Sequence, residues 1–160
     1  MRIQSRIILS LAIALTITSA ASAQEEVGVA ITLQVAGQPY HFEGKAACSH
    51  VPVASIHNEV AERWEVQQID NRRAVMLTLW HPRSKSSDIF TLSVQIGSEG
   101  YLLSTTKSGK GGSVRGSGKV GFTRSGAGGT FTINATTVDG DAITGTMKCS
   151  AFTAPMAEGG

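Results

Sequence analysis

The chain has 160 residues, with 14 Lys plus Arg against 12 Asp plus Glu, two cysteines and 6% aromatic residues. Arg2 and Arg6 fall in a leader-like start, and without them twelve charges of each sign remain. A neutral balance of that kind lacks the cationic excess that marks nucleic-acid binders.

The opening carries those two arginines, then an apolar run from Ile7 to Ile17 broken by Ser10 and Thr16, then Ala21-Ser22-Ala23. A positive start, a short apolar core and a small-x-small site form an export signal, too short for a spanning helix. Residues 1–23 are therefore expected to be removed, leaving one β domain over 24–152 and a flexible tail over 153–160. No later stretch reaches the roughly 18 apolar residues of a membrane span. The expected destination is the periplasm or the medium.

From there the dominant period is two. Val27, Val29, Ile31, Leu33 and Val35 alternate with small or polar neighbours, and Gly37-Gln38 reads as a turn. Tyr40, Phe42, Gly44, Ala46 and Cys48 then share a face. Asn58 through Trp64 fits either a short capped helix or the start of a strand. Asp70-Asn71 is a turn, Val75, Leu77 and Leu79 resume the alternation, and residues 82–87 break it. Phe90, Leu92, Val94 and Ile96 alternate strictly up to Gly97; Tyr101 and Leu103 form a shorter piece. Val114, Gly116, Gly118, Val120 and Phe122 share the next face. Phe131, Ile133 and Ala135 lead to Asp139-Gly140, a strong hairpin signal, and Ile143, Gly145, Met147 and Cys149 return. Eight or nine short strands of this kind predict an all-β fold, an antiparallel β-sandwich or barrel.

Both cysteines take core parity, Cys48 with Tyr40 and Phe42, Cys149 with Ile143 and Met147. In an oxidising compartment this predicts a buried Cys48–Cys149 disulfide closing a loop of about 100 residues, worth roughly 4–5 kcal/mol in the chain-entropy picture. Neither sits in a Cys-x-x-Cys motif, which argues against redox or metal roles.

Linear motifs carry little chemistry. Gly116-x-Gly118-x-x-Gly121 matches the dinucleotide string but lies within an alternating strand, where glycines make room or mark a bulge. Ser104-x-x-Lys107 lacks the downstream motifs of a serine–lysine enzyme. Asp139-Gly-Asp141 lacks the remaining ligands of a calcium loop. His50, His57 and Glu59 are the first group to test for a metal or catalytic site assembled in three dimensions. No catalytic residue, metal or cofactor is assigned.

Two regions suit binding. Between Gly100 and Val138 lie Lys107, Lys110, Arg115, Lys119 and Arg124 with no acidic residue. Parity places Arg115 and Lys119 on one outward face. Thr132, Asn134, Thr136, Thr144, Thr146 and Lys148 turn outward on the neighbouring hairpin, giving a threonine-rich cationic sheet face. It lacks aromatic residues, which argues against stacked nucleic-acid bases. Trp80, His81 and Arg83 form the second region, at the end of a strand whose Met76 and Trp80 leave the core face. The expected function is an exported non-enzymatic binding or interaction module, an inhibitor of another protein or a binder of an anionic polymer. The alternatives are a hydrolase-like exported enzyme and a structural envelope-associated protein.

Overall fold

A computed structural model describes residues 25–84, 87–106 and 114–155. The expected leader and Lys107 and Lys110 lie outside the described residues. The strands are β1 (Glu26–Val35), β2 (Gln38–Ile56), β3 (Glu59–Ile69), β4 (Arg73–Pro82), β5 (Ile89–Ile96), β6 (Glu99–Ser104), β7 (Ser117–Ser125), β8 (Gly128–Thr136) and β9 (Ala142–Cys149). No helix occurs among the described residues. None is therefore long and apolar enough to cross a membrane.

The alternation read from sequence is the alternation of burial. In β1, Val27, Val29, Ile31, Leu33 and Val35 are all buried between exposed or half-buried neighbours. The first turn lies one residue earlier than the expected Gly37-Gln38: Ala36 and Gly37 both take positive φ, 49° and 81°. The next hairpin turns on His57 and Asn58, with φ of 51° and 66°. Paired left-handed residues match the right-handed twist of flanking strands and cannot open a right-handed helix. The helical alternative for Asn58–Trp64 is thereby overturned, and Trp64 lies within β3.

All nine strands form one sheet in the order β6-β5-β4-β3-β2-β1-β9-β8-β7, every neighbour antiparallel. Of the two expected architectures this is the barrel, nearly closed. Full antiparallel closure needs an even number of strands. With nine, β6 and β7 run in the same direction, and among the described residues the seam between them is bridged at Ser104 and Arg115. Ser104 N donates to Arg115 O at 2.7 Å and Arg115 N to Ser104 O at 2.8 Å. Gly116 then turns the chain at φ 81°, where a Cβ would lie 2.4 Å from Thr136 O and 2.8 Å from Leu103 Cδ2. That close approach, not a phosphate, is what the glycine serves.

The interior is filled. Ile31, Leu33, Tyr40, Leu77, Leu79, Phe90, Leu92, Leu103, Phe131, Ile133, Ile143 and Met147 are the largest fully buried side chains. The Cys48–Cys149 disulfide joins β2 to β9 across β1, with Cα atoms 6.3 Å apart. β1 starts at Glu26, opposite Ala47, so β2 loses that neighbour just before Cys48. The segment after Cys149 takes over its place. Thr153 N donates to Cys48 O at 2.9 Å and His50 N to Thr153 O at 3.0 Å.

At the opposite end, the Tyr40 hydroxyl donates to Gln68 Oε1, and Gln68 Nε2 donates to Asp70 Oδ2 at 3.4 Å. Asp70 Oδ1 accepts from the backbone N–H groups of Arg72 (3.0 Å) and Arg73 (2.8 Å). These bonds, that to Arg72 foremost, and the nearby Arg73 guanidinium hold the carboxyl below its ordinary range. Arg73 lies 5.6 Å from the centre of the Tyr40 ring. Burial pushes the Tyr40 phenol up.

Candidate functional site

The sheet order brings β2, β1, β9, β8 and β7 side by side, and their registers align outward residues in rows. One row runs His41, Thr32, Thr146, Thr132 and Gly121. On one side of it lie Gln34, Thr144, Asn134 and Lys119; on the other lie Glu43, Ala30, Lys148, Thr130 and Thr123. Outward side chains repeat at about 4.8 Å across strands and about 6.8 Å along them. Hydroxyls therefore recur over a surface without large apolar groups. Thr32 Oγ1 lies 3.3 Å from His41 Nδ1, which ties the first row's edge together.

Beside these rows the face is recessed. Gly28, Ala30 and Gly44 carry little or no side chain, and with Glu43, Lys45, Lys148 and Ser150 they line a hollow of about 480 Å³. Two ammonium groups and one carboxylate thus border the same concavity. Lys45 was not among the sequence candidates. Its outward parity in β2 was readable; its place near Lys148 depends on β1 lying between β2 and β9, which alternation alone does not reveal.

The expected cationic stretch is divided by the seam. Lys119 and Arg124 are exposed on β7. The two take opposite parity, Lys119 in register with Asn134 and Arg124 with Gly129, and Arg115 does not continue the row of Lys119, because the turn at Gly116 interrupts the strand before β7 begins. It lines a different recess with Glu99, Tyr101, Thr137, Asp139 and Asp141, a surround rich in carboxylates. Hydrogen bonding to Glu99 raises the Tyr101 phenol pKa there.

Lys119 instead faces a slot of about 460 Å³ with Ser87, Asp88, Gly118 and Val120. Asp88 Oδ1 lies 2.7 Å from His81 Nδ1. The slot thereby joins one member of each expected region, Lys119 and His81, through a carboxylate that sequence reading did not select. Arg83 turns elsewhere, its guanidinium donating to Pro52 O at 3.3 Å. Trp80 is half-buried on the outer wall, in register with Arg63 and Ile89.

His50 does not meet His57 and Glu59 in a metal site: no group of three potential ligands gathers among the described residues. Its ring stacks on Trp64, centroids 4.9 Å apart and planes 12° from parallel, and Nε2 lies 3.3 Å from Glu62 Oε2. Trp64 continues into Phe122 at 4.8 Å, and Phe122 into Phe131 at 4.8 Å and Phe152 at 5.8 Å. This aromatic cluster plugs the barrel end near the disulfide. Comparison with protein-family models, with curated proteins and with solved structures found no match for the chain.

Proposed function

We propose that the protein is an exported, non-enzymatic binding module that holds an anionic polysaccharide on the outer face of β2, β1, β9, β8 and β7. The observation that carries this reading is the pairing of Lys45 and Lys148 over a glycine-floored hollow beside threonine rows. Hydroxyl and ammonium groups repeating in two directions suit a polymer that repeats its own hydroxyls and carboxylates. Exposed ammonium groups supply the long-range, salt-sensitive part of such binding. The packed interior supports contact from the surface, since a ligand held inside would displace core side chains. Export accords with the leader-like opening and the disulfide.

Retention on an alginate resin tests the reading. The protein is expected to bind at low ionic strength and to elute as salt shortens the screening length to a few ångströms. Lys45→Ala combined with Lys148→Ala removes two exposed charge contacts of about 0.5–1 kcal/mol each. Together they correspond to about a 5–30-fold loss of affinity. Absence of retention, or retention unchanged in the double variant, overturns the proposal. A second reading, an enzyme, draws on the His81–Asp88 pair beside Lys119, because a carboxylate-oriented imidazole is half of a general-base arrangement.

A further inference from the structure

The wall opposite the threonine rows has a different character. Register aligns Val51, Arg63, Trp80 and Ile89 in one outward row, Ser49, Glu65, Thr78, Thr91 and Ser104 in the next, and Ala47, Gln67, Met76, Ser93 and Leu102 in a third. Ile69 extends the surface beyond them. Met76 and Leu102 are each 41% exposed and Ile69 63% exposed, large apolar groups in water on one side of the barrel. Glu26 of β1, opposite Ala47, ends the third row; on β2 to β6 the rows hold two charged residues, Arg63 and Glu65. They neutralise each other, Arg63 Nε to Glu65 Oε1 at 3.3 Å.

We infer that this face docks a second copy of the chain, two-fold symmetrically, with the axis passing between Arg63 and Glu65. In such a contact residue i meets residue j and j meets i. Neighbouring opposite charges on one strand are the simplest self-complementary pattern for that axis. Arg63 of each copy faces Glu65 of the other, and no like charges are opposed. Apolar side chains around the central pair, with Met76 at the edge of a recess of about 200 Å³ that Glu65, Gln67 and Thr78 also line, supply the area removed from water.

The area sets the strength. Five strands about 4.8 Å apart, over a stretch of about 23 Å, give a footprint near 500 Å² per copy and about 1,000 Å² in total. That lies at the lower bound for specific interfaces, the class of weak, transient contacts, for which a Kd of about 10–100 µM is expected. Its two threonine-rich faces point in opposite directions.

Sedimentation equilibrium on the oxidised protein, from about 1 µM to about 1 mM, spans that dissociation constant. The weight-average mass is expected to rise from one chain to two. Glu65→Arg places like charges across the axis and is expected to leave a monomer throughout. Adding Arg63→Glu to that variant restores an alternating pair and the dimer with it. Met76→Lys gives an independent break at an exposed position, and thermal melting verifies that each variant is folded. A wild-type monomer over the whole range, which leaves the face to some other partner, overturns the inference. So does a Glu65→Arg or Met76→Lys protein that dimerises like the wild type.

Discussion

Replacing both Cys48 and Cys149 by alanine tests how the barrel is held. The bridge links residues 101 apart in sequence, and both half-cystines are essentially inaccessible, at 0% and 1%. For a loop of about 100 residues, chain entropy in the unfolded state gives about 4.7 kcal/mol. In a domain of this size about 1 kcal/mol corresponds to roughly 4 °C, so the melting temperature is expected to fall by about 15–20 °C. Native hydrogen bonds around the bridge, Thr153 to Cys48 and His50 to Thr153, remain available to the variant. The loss is therefore expected to arise mainly in the unfolded state, with the fold retained at low temperature. Guanidinium unfolding followed by far-UV circular dichroism measures it. A loss below about 1 kcal/mol would refute the argument that this bridge constrains the unfolded chain.

Other substitutions probe single contacts. Gly128→Ala places a Cβ 2.1 Å from Cys149 O and 2.6 Å from Ser150 C, backbone atoms that cannot step aside, and is expected to cost about 2–4 kcal/mol. Gly100→Ala meets nothing within 4 Å and is expected to stay within about 0.5 kcal/mol of the wild type. Equal costs in matched denaturant melts would contradict both assignments. Asp70→Asn addresses pH. A carboxyl held below its ordinary range stabilises the folded state above the unfolded pKa, and that contribution is lost as pH falls through the folded value. The stability gap between wild type and variant should therefore be present at neutral pH and close below about pH 4. A gap constant down to pH 2 would rule out the carboxylate as its source.

Much of the fold was legible because half-buried strands advertise their inward residues every second position. Cys48 and Cys149 both followed that rule, and the bridge joins them as parity required. Closure was not legible. Alternation says which way Val29 or Met147 points, but not that β9 pairs with β1, a choice set by long-range assembly. Asn58 misled because a positive-φ turn without glycine at either position resembles a helix cap. For the surface, the outward threonines of β8 and β9 were readable by the same parity. Lys45 was hidden because its strand reaches the threonine rows only through β1. The link from His81 to Lys119 through Asp88 spans three separated segments, and no spacing in the chain records it.

The pairing of β1 with β9 also has a meaning in time. Strands β1 to β6 can zip together as each leaves the ribosome, every partner adjacent in sequence. The first strand, however, keeps one side bare until the last has been made, and a bare apolar strand edge recruits strangers. Holding that edge apart until β9 arrives is a task for whatever accompanies the nascent chain, and shortening the wait should lessen aggregation. Joining the present ends and opening the chain between β6 and β7 would set β7, β8, β9 and β1 to β6 in the order in which they pair, so that no strand waits for a distant neighbour.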